Sequence, residues 1–384
     1  MTNILEVTGL KTNFYTYEGV VKALAGISLV IDHGSTFGLV GESGCGKSVA
    51  VRSVMRIVQT PGKIEEGKIV LFTDKEGEKN GIELLSKSEA FMRQIRGDRI
   101  SMIFQEPNAA LNPIMSIGEQ ISESFLFHRQ SELLDAVIGG LDKSGKSLLN
   151  SILKYLYRTM RQKPESLFAG VLNRIPAVCY FLNKRIRKEA LKRSVTIVEN
   201  LGVPDPNEIV HRYPHQLSGG MKQRIVIAIA LACGPELLIA DEATSNLDVT
   251  IQAQILDLLI ELKKTTISSV LLITHDLGVV AETCDRVGVM YAGSMVETAL
   301  VGPLFKTPLH PYTRALLDAV PKFITKGKLK SIEGSVPNLI SPPTGCRFHP
   351  RCPVAMDICS QAAPELLETK THHYVACHKV NSIS

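Results

Sequence analysis

Short apolar runs separated by polar or glycine-rich gaps fill the first hundred residues. ILEVTGL (4–10) and ISLVIDHG (27–34) alternate or run continuously apolar, and STFGLV (35–40) is a third run that stops at Gly41. Each predicts a strand. From Val49 to Val58 the pattern VAVRSVMRIV changes to helical spacing. KIVLF (68–72) and RISMIF (99–104) predict two more strands, with a charged loop at 73–81 between them. From Asn108 to about Pro214 the spacing is helical and strands are missing. They return as LLIA before Asp241 and VLLIT before His275, with helical stretches around them. Strands alternating with helices predict an α/β fold on a mixed, mostly parallel sheet, with an inserted helical subdomain at about 106–230. From about Pro321 periodicity fades and Pro, Cys and His become frequent. A small appended cysteine-rich module is expected over 321–384, after a main domain at 1–320.

Composition narrows the class. Hydrophobic residues are 45% and charged residues 21% of 384, which excludes wholesale disorder. No uncharged apolar run approaches the roughly eighteen residues of a membrane span. MTNILEVTGL shows no secretory pattern, so a reducing cytoplasm is expected, where eight cysteines predict thiols or metal ligands rather than disulfides. The net charge of +5 is unevenly spread: 131–193 holds 13 Lys+Arg against 5 Asp+Glu, and 321–384 adds a further +4. The rest of the chain is therefore acidic, at −7. The positive balance comes from an insertion and a tail, and no nucleic-acid partner is expected.

GESGCGKS, Gly41–Ser48, fits G-x-x-x-x-G-K-[ST] where a strand gives way to a helix. Gly41, Gly44 and Gly46 let the backbone turn its N–H groups toward phosphate oxygens, and the helix start adds its positive dipole end. Lys47 is expected against the β and γ phosphates of ATP and Ser48 on magnesium. Glu42, Ser43, Cys45 and Val49 complete this segment. Asp241 and Glu242 end an apolar strand, which suits one carboxylate in the metal shell and one polarising water. LSGGMKQR (217–224) opens a helix with Ser218, Gly219 and Gly220, whose amides suit a second anion. Two such termini in one chain suggest two nucleotides sandwiched between two protomers.

With these motifs in this order, the chain resembles the ATP-binding cassette family of transport ATPases from Leu5 to about Val320, apart from the basic stretch. The resemblance implies further roles. Gln105 would touch magnesium and sense the γ-phosphate, alongside Ser48 and Asp241. Glu242 would be the general base, and His275 would hold the γ-phosphate and water. Asp248, in SNLD, would lie in the loop crossing the dimer interface, and Gln223 belongs to the signature Ser218, Gly219 and Gly220. The family usually has Pro where Ala243 stands and a small residue where Asn246 stands. Those departures predict altered loop stiffness or packing rather than lost hydrolysis. For the adenine-stacking aromatic, Tyr17 has the best spacing to Gly41, with Phe14 and Tyr15 as competitors.

In the tail, Cys346, Cys352, Cys359 and Cys377 have five, six and seventeen residues between them. Zinc modules usually pair cysteines two to four residues apart, so the wider spacing and the Cys352-Pro353 step fit a 4Fe–4S cluster better. Zinc and no metal remain the alternatives, with His349, His372, His373 and His378 as less favoured ligands. SVPNLISPPTGCRFHPRCPVAMDIC resembles the C-terminal extension of oligopeptide/dipeptide permease ATP-binding subunits, some of which carry such a cluster. QEPNAALNP and LFKTPLHPYTRALLDAVP point the same way.

The resemblance implies an ATPase subunit of a peptide importer, peripheral on the cytoplasmic face of the cell membrane. It would pair with a second ATPase chain, either related but distinct or identical. It would also work with two membrane permease subunits and an extracytoplasmic solute-binding protein. An importer of nickel or another small solute is the alternative within the class. A soluble ATPase switch is the alternative outside it, although such proteins usually carry two cassettes or a coiled coil. The basic stretch 131–193 reads either as an elaborated helical subdomain or as a basic amphipathic surface for anionic lipid or an accessory partner.

Overall fold

The computed structural model describes residues 3–73, 81–143, 148–162, 176–243, 249–265, 269–319 and 332–382. These form two compact units. One comprises Met1–Gln105, Glu236–Asn246 and Gln252–Ser384, and the other Glu106–Pro235 with Leu247–Ile251.

The first unit contains two sheets. β1 (Asn3–Thr16) and β2 (Gly19–Asp32) form a long hairpin, and β3 (Thr36–Val40) leaves it for the main sheet. β4 (Gly62–Leu71) pairs with β1, and β5 (Ile82–Glu83) with β4. The four-stranded sheet β2-β1-β4-β5 is antiparallel and separate from the main sheet.

The main sheet adds β6 (Ile100–Ile103), β7 (Leu237–Asp241), β8 (Ser269–Ile273), β9 (Arg286–Tyr291), β10 (Ser294–Leu300), β11 (Leu367–Lys370) and β12 (His373–Val375). Its order is β11-β12-β10-β9-β3-β8-β7-β6. From β9 to β6 the neighbours are parallel, while β10, β12 and β11 are antiparallel. β3, β7 and β8 are buried at every position, as continuous apolar runs demand of a sheet covered on both faces. Ala50, Val51 and Val54 of the helix Lys47–Val54 join one apolar cluster with Phe37, Leu39, Ile239 and Ile273 of the main sheet. Leu5, Val7, Ile69 and Leu71 of the antiparallel sheet belong to the same cluster.

The tail departs from expectation. β12 pairs with β10 through Glu297↔Val375 and Thr298↔Tyr374, and β11 pairs with β12. The expected appended module therefore continues the main sheet across the boundary drawn at 321.

In the second unit the helices Ile117–His128, Gln130–Lys143, Leu148–Gln162, Pro176–Asn200 and Gly219–Leu231 are the long elements. Ser116 and Glu119 form a reciprocal capping box at the first of them. The described residues of the basic stretch lie in helices: Leu133, Leu134, Val137 and Leu141 are buried, and the buried Tyr157 donates its hydroxyl to the Leu182 carbonyl at 3.0 Å. Leu148, Ile152, Tyr155, Tyr180 and Phe181 remain exposed. No helix among the described residues is long and apolar enough to cross a membrane.

Candidate active site

The phosphate loop runs from the end of β3 to the helix Lys47–Val54, as the motif requires. Gly41, Gly44 and Gly46 all have positive φ, at 151°, 78° and 102°. At Gly41 an added Cβ would run into the Met290 carbonyl oxygen, and at Gly46 it would lie 2.8 Å from the Ala23 carbonyl oxygen. Two of the glycines are therefore needed for packing as well as for conformation. Gly46 occupies the N-cap without a side-chain hydrogen bond, which leaves the first helical amides facing the loop. Lys47 is 5% exposed and folds back, its Nζ donating to the carbonyls of Gly41 at 2.7 Å and Glu42 at 3.1 Å. Ser43 and Gly44 at the crest are exposed, whereas Cys45 is buried and its thiol pKa is raised by that burial. Val49 lies half-buried in the first helical turn.

The acidic strand end meets this loop. Ser48 Oγ donates to Asp241 Oδ1 at 2.9 Å, and Asp241 is 1% exposed. Burial raises the Asp241 pKa and repulsion from Glu242 adds to it, against the Ser48 hydrogen bond and the nearby Arg52. A buried carboxylate next to a serine hydroxyl has the donor chemistry for magnesium, which would offset its desolvation.

Glu242 follows with a φ of 48°, a left-handed conformation for a residue with a side chain. Such strain costs about 1–3 kcal/mol and concentrates at working sites. Its amide donates to the Ile273 carbonyl at 2.9 Å, which ties it to β8. Gln105 Nε2 donates to Glu242 Oε2 at 2.8 Å, and His275 Nδ1 lies 3.6 Å from Oε1. Five sequence-predicted residues, Ser48, Gln105, Asp241, Glu242 and His275, thus form two adjoining clusters around the Lys47 loop.

The remaining candidates lie elsewhere. Ser218 caps the helix Gly219–Leu231 by accepting from the Met221 amide, and Gln223 is buried in that helix. Gly220 is held close to Ile251, where a Cβ would approach within 3.2 Å. This signature segment belongs to the second unit. Asp248 and Asn246 fall outside the described residues. Tyr17 is 98% exposed on the β1–β2 turn, while the Tyr15 hydroxyl donates to Glu65 at 2.7 Å and Phe14 pairs across to Gly62.

Among the described residues, no three His, Cys, Asp or Glu side chains are placed to hold a metal ion. Among the described residues, neither the 4Fe–4S nor the zinc reading of Cys346, Cys352, Cys359 and Cys377 therefore has a formed metal site behind it. Nor do the histidines supply one: His373 bonds Glu297 at 2.7 Å, His349 bonds the Cys346 carbonyl and His378 bonds the Ala362 carbonyl.

Two groups that sequence reasoning missed touch the loop. The Glu42 amide donates to the Tyr312 hydroxyl at 3.0 Å, and its carboxylate takes a two-pronged ion pair from Arg351. Both partners lie in the C-terminal stretches that carry the family resemblance, but nothing there pointed to the loop, and Arg351 is 309 residues away in sequence.

A model of the ABC transporter family matches residues 24–245, and one of the oligopeptide/dipeptide transporter C-terminal region matches 296–359. The Oligopeptide transport ATP-binding protein AppD of Bacillus subtilis (strain 168) is 42% identical over 98% of this chain and 97% of its own. The Dipeptide transport ATP-binding protein DppD of the same organism is 41% identical over 98% and 95%. Among solved structures, the ATP-binding cassette MJ0796 in a dimeric post-hydrolysis state with ADP and Pi superposes with a TM-score of 0.54. It is 21% identical and covers 77% of this chain and 98% of that one. cbiO1 from Clostridium perfringens superposes with a TM-score of 0.52 at 23% identity, covering 80% and 92%. The structural likenesses establish the cassette fold. Identity above 40% over nearly the full length goes further, and the chain belongs to the ABC transporter family as an ATPase subunit with the oligopeptide/dipeptide type of C-terminal region.

Proposed function

We propose that this chain hydrolyses ATP to drive uptake of di- or oligopeptides through separate membrane permease subunits, from a peripheral position on the membrane's cytoplasmic face. The observation that carries the catalytic reading is the Glu242 carboxylate, held between Gln105 and His275 beside the Ser48–Asp241 pair. Loop amides from Gly41 to Ser48 and the Lys47 ammonium bind the β and γ phosphates, Lys47 exchanging its carbonyl partners for phosphate oxygens. Ser48, Asp241 and Gln105 would hold magnesium, which supplies charge neutralisation between the β and γ phosphates. Glu242 takes the proton of the attacking water, and His275 steadies that water and the γ-phosphate. Ser218, Gly219, Gly220 and Gln223 serve the nucleotide of a second ATPase chain, with Asp248 at the crossing. That second chain is a related distinct subunit or a copy of this one, and a solute-binding protein acts through the permease.

Glu242→Gln keeps the shape and removes the base. Phosphate release should fall at least about 100-fold while ATP binding persists. Hydrolysis at the wild-type rate would overturn the assignment. The peptide cargo is supported by the names of the relatives. Uptake of labelled peptides by vesicles holding the assembled transporter checks it, and uptake of nickel alone would favour the other importer reading.

The tail supports a second, separable proposal, a 4Fe–4S cluster on Cys346, Cys352, Cys359 and Cys377. Four cysteine thiolates would hold such a cluster, one on each iron. Burial pushes the Cys346 thiol pKa up to about 11, with Cys359, Cys377 and Cys352 adding to the rise, and its amide donates to the Cys359 carbonyl at 2.8 Å. Gly345, at φ 69°, permits that approach, since a Cβ there would strike the same carbonyl. No step of hydrolysis passes through this group. Anaerobic purification should give about four iron and four sulfide per chain. Stoichiometric zinc, or no metal, would sink the cluster.

A further inference from the structure

Glu42 sits inside the phosphate loop, yet its polar groups are held largely from the C-terminal end of the chain. Arg351 Nη1 and Nη2 donate to Glu42 Oε2 and Oε1 at 2.8 and 3.1 Å. The remaining Arg351 donors are also taken. Nε donates to the Glu333 carbonyl at 2.8 Å, Nη2 to the Ile332 carbonyl at 3.3 Å and Nη1 to the Tyr291 hydroxyl at 3.3 Å. All five guanidinium N–H groups are engaged, and the side chain is 7% exposed. The guanidinium carbon lies 5.7 Å from the Tyr291 ring centre, a cation–π distance.

The platform behind this contact is a cluster of aromatic rings. Tyr291, Tyr312 and Phe348 pack as a triangle with ring centres 4.7, 5.1 and 5.3 Å apart. Tyr312 also accepts the Glu42 amide. Arg347 donates to the carbonyls of Ala292 and Lys22, and the Gly293 amide donates to the Cys45 carbonyl at 2.8 Å. The Glu42 carbonyl, in turn, accepts from Lys47 Nζ and the Cys45 amide. One residue of the loop is therefore fixed at amide, carboxylate and carbonyl, the first two by the C-terminal segments.

We propose that Arg351 is a positioning residue for ATP binding, acting through Glu42 to hold the phosphate loop in its receptive shape. The cysteine-bearing tail thereby becomes part of the support of the nucleotide site. Arg351 directly precedes Cys352, so the order of the cysteine loop sets where the guanidinium stands. This inference rests on the reading of Gly41–Ser48 as the ATP loop.

The test is ATP titration by calorimetry and steady-state hydrolysis on the full chain, with melting temperatures measured in parallel. Arg351→Gln should weaken ATP binding about tenfold and raise KM to match, with a smaller loss in kcat. Arg351→Lys should recover only part, because one ammonium cannot reproduce a five-donor fork. Glu42→Gln should weaken binding in the same direction, and the double variant should be no worse than Arg351→Gln alone. Lys47→Ala is the control, and its binding ATP like wild type would overturn the loop reading itself. If Lys47→Ala fails to bind while Arg351→Gln binds at wild-type affinity, the positioning role is wrong. It is also wrong if Arg351→Gln merely lowers the melting temperature and kcat at unchanged Kd, or if the two single losses add. Should Arg351→Gln not fold, Arg351→Lys and Glu42→Gln pose the same question from the two ends of the pair.

Discussion

His310 caps the helix Pro311–Asp318 with its own ring, Nδ1 accepting the Tyr312 amide at 3.0 Å. The residue is 1% exposed. Burial drives its pKa down to about 4, against the upward pull of Glu297 and a hydrogen bond with the Ala376 backbone. Burial would raise the Glu297 pKa, but hydrogen bonds from His373, Thr313, Leu309 and His310 outweigh it and keep the carboxylate below its usual range. The folded pKa of His310 lies below the ordinary 6.5, so the unfolded chain takes up the proton first as pH falls. His310's contribution is thus complete above pH 6.5 and drains away down to about pH 4, at most about 3 kcal/mol. Melting temperatures should fall across that window, and less steeply in His310→Asn, which keeps a capping side chain. Parallel slopes would remove His310 from the acid response. At this scale motifs at strand ends named Lys47, Ser48, Asp241 and Glu242, and the family resemblance added Gln105 and His275. The sequence was silent on Arg351 and Tyr312, whose meaning depends on a partner far away in the chain. Tyr17, chosen by spacing to Gly41, is exposed on a turn, and spacing alone could not separate it from Tyr15.

Among the elements, the buried parallel strands were the easiest to read, since both faces are covered and the apolar runs are unbroken. β1 and β2 were legible only in pieces. Each is 14 residues long, but their pairing carries register shifts at Val7/Leu10 and Thr12/Phe14, which break the two-residue period into short stretches. Nothing in an alternating pattern names a strand's neighbour, so their removal to a separate antiparallel sheet was invisible. β11 and β12 have four and three residues, too few to display a period at all. The basic stretch was helical by spacing, and its described residues lie in helices. Its charge pattern did not disclose that Lys222 of the signature helix would donate to Asn108 at 2.9 Å, bracing that helix against the start of the second unit.

Across the whole molecule the tail is structural because it covers β10. A chain ending at Asp318 would leave that strand as an open edge and strip His373 from the buried Glu297 carboxylate. Such a chain should lose several kcal/mol of stability and associate with rising concentration, as read by melting temperature and size-exclusion chromatography. A monomer melting like the full chain would show the tail to be dispensable. The same architecture governs the order of assembly during synthesis. The hairpin of β1 and β2 pairs locally and can form soon after it leaves the ribosome. β3, which launches the phosphate loop, must wait for both its neighbours, since Thr36 pairs with Val270 and Phe37 with Arg286. The clamp on Glu42 waits longer still, for Arg351. A nascent chain therefore displays its nucleotide motif early, long before the residues that clamp Glu42 have been made.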